Sequence, residues 1–141
     1  MKNFEATSRT NYFRVTDEER YDEIFTNLVF GEAPVIDLTK IIDGKKYHAF
    51  GSCSSINNYH EEEDEDPIYP FDIFVEEIQK ILPEDEAFIY MEAGSQDIAT
   101  VCGNSIVVTK KAIECINLSD FAIKSARRLL GNEEFTTDIE F

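Results

Sequence analysis

Apolar and β-rich side chains alternate through TNYFRV (10–15), a pattern that predicts a strand, and Thr16-Asp17-Glu18-Glu19 then offers a capping box with Thr16 at the N-cap. Tyr21, Ile24, Phe25 and Leu28 follow at spacings of three and four, the period of an amphipathic helix. Glu18, Glu19, Asp22 and Glu23 fall largely on its outer side, and Gly31 and Pro34 end it. VIDLTKII (35–42) and KKYHAFGS (45–52) flank Asp43-Gly44, the strongest short hairpin signal a sequence offers, and read as two antiparallel strands. SSINNYHEEEDEDPIYP (54–70) keeps no period and holds two prolines, so it reads as a loop or a loosely held edge.

Helical spacing returns in FDIFVEEIQKILP (71–83), with Phe71, Phe74, Val75, Ile78, Ile81 and Leu82 on one side and Pro83 as the stop. EAFIYMEAG (86–94), TVCGNSIVVT (100–109) and AIECINL (112–118) read as a meander of three strands. A last helix starts at Ser119, with Leu118 and Ile123 as a hydrophobic staple, and closes on Arg127, Arg128 and Gly131. The order β-α-β-β-α-β-β-β-α predicts an α+β fold, a mostly antiparallel sheet with about three helices packed on it. Residues 1–141 are of one-domain size, the acidic loop at 54–70 included.

Composition supports a packed core, with 43% hydrophobic residues, eleven Phe and six Tyr, but the formal charge of −16 is about twice what solubility asks of a small domain. Such a balance excludes direct binding to nucleic acid or to an anionic membrane, which needs Lys and Arg, and points to a basic partner. No apolar run has the length of a signal peptide or a membrane span, so the expected location is the cytoplasm. Cys53, Cys102 and Cys115 are odd in number and without CxxC spacing, which leaves buried thiols as the plain expectation.

The charge is concentrated. Residues 61–86 hold twelve acids and one base, a net −11, while the other 115 residues carry −5. Glu61, Glu62, Glu63, Asp64, Glu65 and Asp66 form an unbroken run. If extended, they advance about 3.3 Å per residue, close to the roughly 3.4 Å per phosphate of a DNA strand. Asp72, Glu76 and Glu77 continue the track onto a helix, where like charges four apart cost a few tenths of a kcal/mol per pair. Asp17, Glu18, Glu19, Asp22 and Glu23 add a second acidic face, and Tyr59 and Tyr69 bracket the run as candidate anchors or as pins to the core.

Chemistry is sparse. EEEDED lacks the alternating ligands and turn glycine of a calcium loop, so no metal is expected. His48 and Cys53, five apart, face opposite sides of a regular strand; Glu92 and Asp97 flank a turn without any further catalytic signature. Neither a Walker loop nor G-x-G-x-x-G nor G-x-S-x-G occurs, which implies no cofactor and no enzyme of those kinds.

A small, acidic, cytoplasmic α+β chain of this make-up resembles the DNA-mimic inhibitors of phages and mobile elements, of the anti-CRISPR and anti-restriction type. SRTNYFRVTDEERYDEIF (8–25) and AFIYMEAG (87–94) are also similar to small uncharacterised proteins of phages and integrative elements in gut-type Firmicutes. The resemblance is one of type and carries over no functional residue. It implies an inhibitor whose partner is a CRISPR effector or restriction enzyme; charge placement alone assigns Glu61–Asp66 with Asp72, Glu76 and Glu77 to that partner's Lys/Arg channel, and the expected state is a monomer or a dimer. The alternative is an acidic immunity or interaction protein that binds a basic toxin, nuclease or regulatory partner without imitating nucleic acid.

Overall fold

The structure is a computed structural model that describes residues 5–30, 34–53, 56–60, 68–69, 71–96 and 100–137. Its order is β1 (Glu5–Thr10), α1 (Glu18–Thr26), β2 (Leu28–Phe30), β3 (Ile36–Asp37), β4 (Lys40–Ile42), β5 (Lys45–Tyr47), β6 (Phe50–Ser52), β7 (Ile56–His60), β8 (Ile68–Tyr69), α2 (Phe71–Lys80), β9 (Ala87–Gln96), β10 (Thr100–Thr109), β11 (Ile113–Asn117) and α3 (Leu118–Leu130). This is the α+β class read from the sequence, with three helices and a main six-stranded antiparallel sheet ordered β11-β10-β9-β1-β6-β3 among the described residues. Two small sheets, β2-β7-β8 and β4-β5, complete it.

Long neighbouring strands form the middle of the main sheet. β9 and β10 pair along their whole length from Ala87↔Thr109 to Gln96↔Thr100, and β1 lies on the other side of β9 with Thr10 opposite Tyr90. Period-two alternation sends Phe88, Tyr90 and Val108 inward, where they meet Tyr21 and Ile24 of α1 and Phe74, Val75 and Ile78 of α2. The centre is aromatic: Phe13 and Phe88 meet edge to face at 5.0 Å, and Phe74 packs on Phe88 at 6.0 Å. Such contacts contribute about 0.5–1.5 kcal/mol per pair beyond the area they bury.

Local signals act where expected at two turns. Asp43 (φ 52°) and Gly44 (φ 78°) both take positive φ, as a tight hairpin turn with the strand twist demands, and they join β4 to β5. The hairpin is longer than its tip, because β3 pairs with β6 beyond it and the Leu38 N–H donates to the Ala49 carbonyl at 2.8 Å. Each strand expected here is thus broken in two. At the other end of the chain Gly131 (φ 64°) caps α3 in the left-handed conformation, its N–H donating to the carbonyls of Arg127 and Arg128.

Several expectations are corrected. The first strand is 5–10 instead of 10–15, since Glu5–Thr10 is what pairs with β9, and further along Phe13 makes an isolated bridge to His48. Asp17, one residue later than expected, caps α1 by accepting from the Arg20 N–H at 3.0 Å. Thr16 is drawn away by α2: its N–H and hydroxyl both donate to the Ile81 carbonyl, at 2.7 and 3.2 Å, an acceptor the end of that helix leaves open. α1 stops at Thr26, ahead of Gly31, because Leu28–Phe30 pairs with β7. The stretch 54–70 is not wholly irregular, for it contains β7 and β8. α3 begins at Leu118 with Asn117 as its cap, accepting from the Asp120 N–H at 3.1 Å. The thiols are not buried: Cys53 and Cys115 are exposed and Cys102 is half-buried, Cys53 lying past the end of β6 and Cys115 on β11, the end strand of the main sheet among the described residues.

Candidate acidic interface

α1 and α2 lie side by side, so the two acidic clusters that are far apart in sequence share one side of the molecule. Arg20 sits at the seam. Its Nη1 donates to Glu23 Oε2 at 2.8 Å and its Nη2 to Glu77 Oε2 at 3.0 Å. The second oxygen of Glu77 accepts from Lys80 Nζ at 2.9 Å. Burial by itself would raise the Glu77 pKa, but the hydrogen bonds from Lys80 and Arg20 outweigh it and hold the carboxyl below the usual range.

At the start of α1 Glu18 is also committed. Its Oε2 lies 2.7 Å from His48 Nε2, and His48, buried on strand residues next to Phe13, stacks on the Tyr21 ring with centroids 3.9 Å apart. The Tyr21 hydroxyl is buried with no hydrogen-bond partner among the described residues. Burial first, then the charges of Asp37, Asp22 and Glu18, push its ionisation well above that of an ordinary phenol.

The acids therefore separate into two groups. Asp17 caps a helix, Glu18 holds His48, and Glu23 and Glu77 hold Arg20. Asp85 and Glu86 in the turn after α2 hold Arg14, at 3.1 and 2.9 Å. Glu19, Asp22 and Glu76 remain exposed, open to an outside partner. Asp72 stands in the first turn of α2.

The run Glu61–Asp66 lies outside the described residues, but its frame is described. His60 and Ile68 are ladder partners, as are Tyr59 and Tyr69, so β7 and β8 form an antiparallel pair just before α2. The expectation of a single line of charge leading into α2 rests on residues outside the described ones. The two tyrosines that bracket the run are opposite each other on one ladder.

His48 and Cys53 do not converge, one being buried under α1 and the other exposed. No helix among the described residues is long and apolar enough to cross a membrane. Comparison with protein-family models, with curated proteins and with solved structures gives no match.

Sequence reasoning missed Arg20 as the link between the two acidic clusters. Its contact with Glu23 was within reach of an i, i+3 rule, but the contact with Glu77 spans 57 positions and depends on how α1 packs beside α2.

Proposed function

We propose that the protein is an inhibitor that occupies the basic nucleic-acid channel of a CRISPR effector or restriction enzyme and keeps the DNA out. The observation that carries this reading is the convergence of α1 and α2, which sets exposed Glu19, Asp22 and Glu76 on neighbouring helices, with the β7-β8 ladder that flanks Glu61–Asp66 immediately before α2. Opposite charges of this density steer association and make it fall steeply with salt.

The contact set is narrower than the one drawn from sequence. Glu18, Glu23 and Glu77 stabilise the helices that carry the surface, while Glu61–Asp66, Glu19, Asp22 and Glu76 face the partner. Rim charges contribute little affinity by themselves, and Tyr59 and Tyr69 on the ladder are the anchors this reading assigns.

The test is competition. The protein is bound to a panel of purified CRISPR effectors and restriction enzymes, and excess duplex DNA is added. Displacement by duplex, with loss of binding in a Glu61–Asp66 charge-reversed variant, supports occlusion. Binding that duplex leaves untouched supports the immunity-type alternative, in which the acidic face meets a basic protein elsewhere on its surface.

A further inference from the structure

We propose that Asp22, Asp37 and the Tyr21 hydroxyl form a binding site for one guanidinium group, the side chain of an arginine on the basic partner. That the arginine belongs to such a partner rests on the inhibitor reading; the site itself does not.

Tyr21 is 3% exposed, and its Oη has no hydrogen-bond partner among the described residues. A polar atom buried in this way costs stability, so a folded chain that keeps one calls for a reason. A phenylalanine would fill the same place without that cost, since the Tyr21 ring already packs on Phe13, Phe25 and His48.

Carboxylates approach the hydroxyl from two elements. On α1, Tyr21 and Asp22 stand three and four residues after Glu18, which puts all three on one side of the helix. On the sheet side, Asp37 at the end of β3 accepts from the Thr39 N–H at 2.9 Å, and Thr39 Oγ1 lies 3.5 Å from His48 Nδ1. The His48 ring in turn stacks on Tyr21 with centroids 3.9 Å apart. The electrostatics agree with this placement, because after burial the charges of Asp37, Asp22 and Glu18 are what oppose ionisation of the phenol. Glu18 is held by His48 at 2.7 Å and forms a wall of the site. Asp22 and Asp37 are exposed, and neither forms a salt bridge among the described residues.

The acceptors are thus in place and the complement is a cation that carries N–H donors. A metal ion does not fit, for no group of three carboxylate, histidine or cysteine side chains converges closely enough to hold one among the described residues. A guanidinium presents five N–H groups in a planar fork, broad enough to bridge acceptors that one ion could not touch together, and its weak hydration suits a place beside an aromatic ring. An ammonium is a compact and strongly hydrated point charge, which suits it less. The rim side chains are exposed, so they can turn aside to admit the group without disturbing the core.

The isolated protein is titrated with N-acetyl-arginine amide at constant ionic strength, followed by the amide resonances of Tyr21, Asp22 and Asp37, with N-acetyl-lysine amide as the comparison. Saturable changes centred on α1 and β3 are expected, with the arginine amide binding more tightly than the lysine amide. Asp22→Asn should weaken binding about tenfold, the loss of a charge-assisted hydrogen bond. Tyr21→Phe should weaken it about fivefold, the worth of one hydrogen bond, in a protein at least as well folded. Changes that do not saturate and spread over the whole acidic surface overturn the proposal. So do equal binding of the two amides and a Tyr21→Phe protein that binds as before. No effector is present, so these outcomes bear on the site alone, while displacement by duplex DNA tests the inhibitor reading separately.

Discussion

Arg20 Nη2 donates to Glu77 Oε2 at 3.0 Å, and this contact ties α1 to α2 across 57 positions of sequence. It makes part of the acidic surface structural. Glu77→Gln keeps one hydrogen-bond acceptor but loses the charge, and is expected to cost about 1 kcal/mol. Arg20→Ala should cost somewhat more, since it removes contacts to Glu23 as well as Glu77. Urea unfolding of the two single variants and the double should show a coupling of roughly 1 kcal/mol, and a coupling near zero would remove Arg20 as the link.

Glu18 and His48 give a second prediction. Glu18→Gln still offers His48 Nε2 an oxygen and should be nearly silent in thermal unfolding. Glu18→Ala leaves a buried ring nitrogen unpaired and should cost about 1–2 kcal/mol. Equal effects of the two substitutions would show that the 2.7 Å contact contributes nothing.

Tyr21→Phe should stabilise the protein by about 1 kcal/mol, because the hydroxyl it removes is buried and unpaired among the described residues. The alkaline limb tests the same point. With its folded pKa raised above the unfolded value of about 10, Tyr21 contributes stability that is complete below that pH and is lost as pH rises through and beyond it. Tyr21→Phe should flatten the alkaline limb of a pH–stability curve.

The acid limb has the opposite sign. Hydrogen bonds from the Thr39 side chain and backbone N–H lower the pKa of Asp37, the latter at 2.9 Å, and Lys80 and Arg20 lower that of Glu77 against its burial. Carboxyls depressed in the folded state contribute stability that is present above their unfolded values, near 4, and is lost as pH falls through the folded ones. Asp37→Asn with Glu77→Gln should leave a shallower loss of stability below about pH 4 than the unaltered protein shows.

Much of the fold was legible because its signals are local. The Asp43-Gly44 turn, the apolar stripe of Phe74, Val75 and Ile78, the paired runs 87–96 and 100–109, and Gly131 after α3 each follow from the φ/ψ preferences or periodicity of a few adjacent residues. The acidic clusters were equally visible as composition. Their division into structural and exposed acids was not, because Glu77 and Glu19 look alike until α1 and α2 are packed together. β7 was missed for a related reason: INNYH has no strong strand pattern, and its place is set by Leu28↔Tyr59 on one side and Tyr59↔Tyr69 on the other.

The sequence by itself determined an α+β chain with three amphipathic helices, a tight hairpin, an aromatic core and a surplus of negative charge, since turn geometry, side-chain period and charge are properties of neighbouring residues. Only the tertiary structure decided that Arg20 stands between Glu23 and Glu77, that His48 lies under Glu18, that β7 and β8 frame the acidic run, and that Leu118, Phe121, Leu129 and Leu130 of α3 stay exposed. Those relationships join residues far apart in the chain, and they are fixed by which faces of the sheet and helices can be buried together.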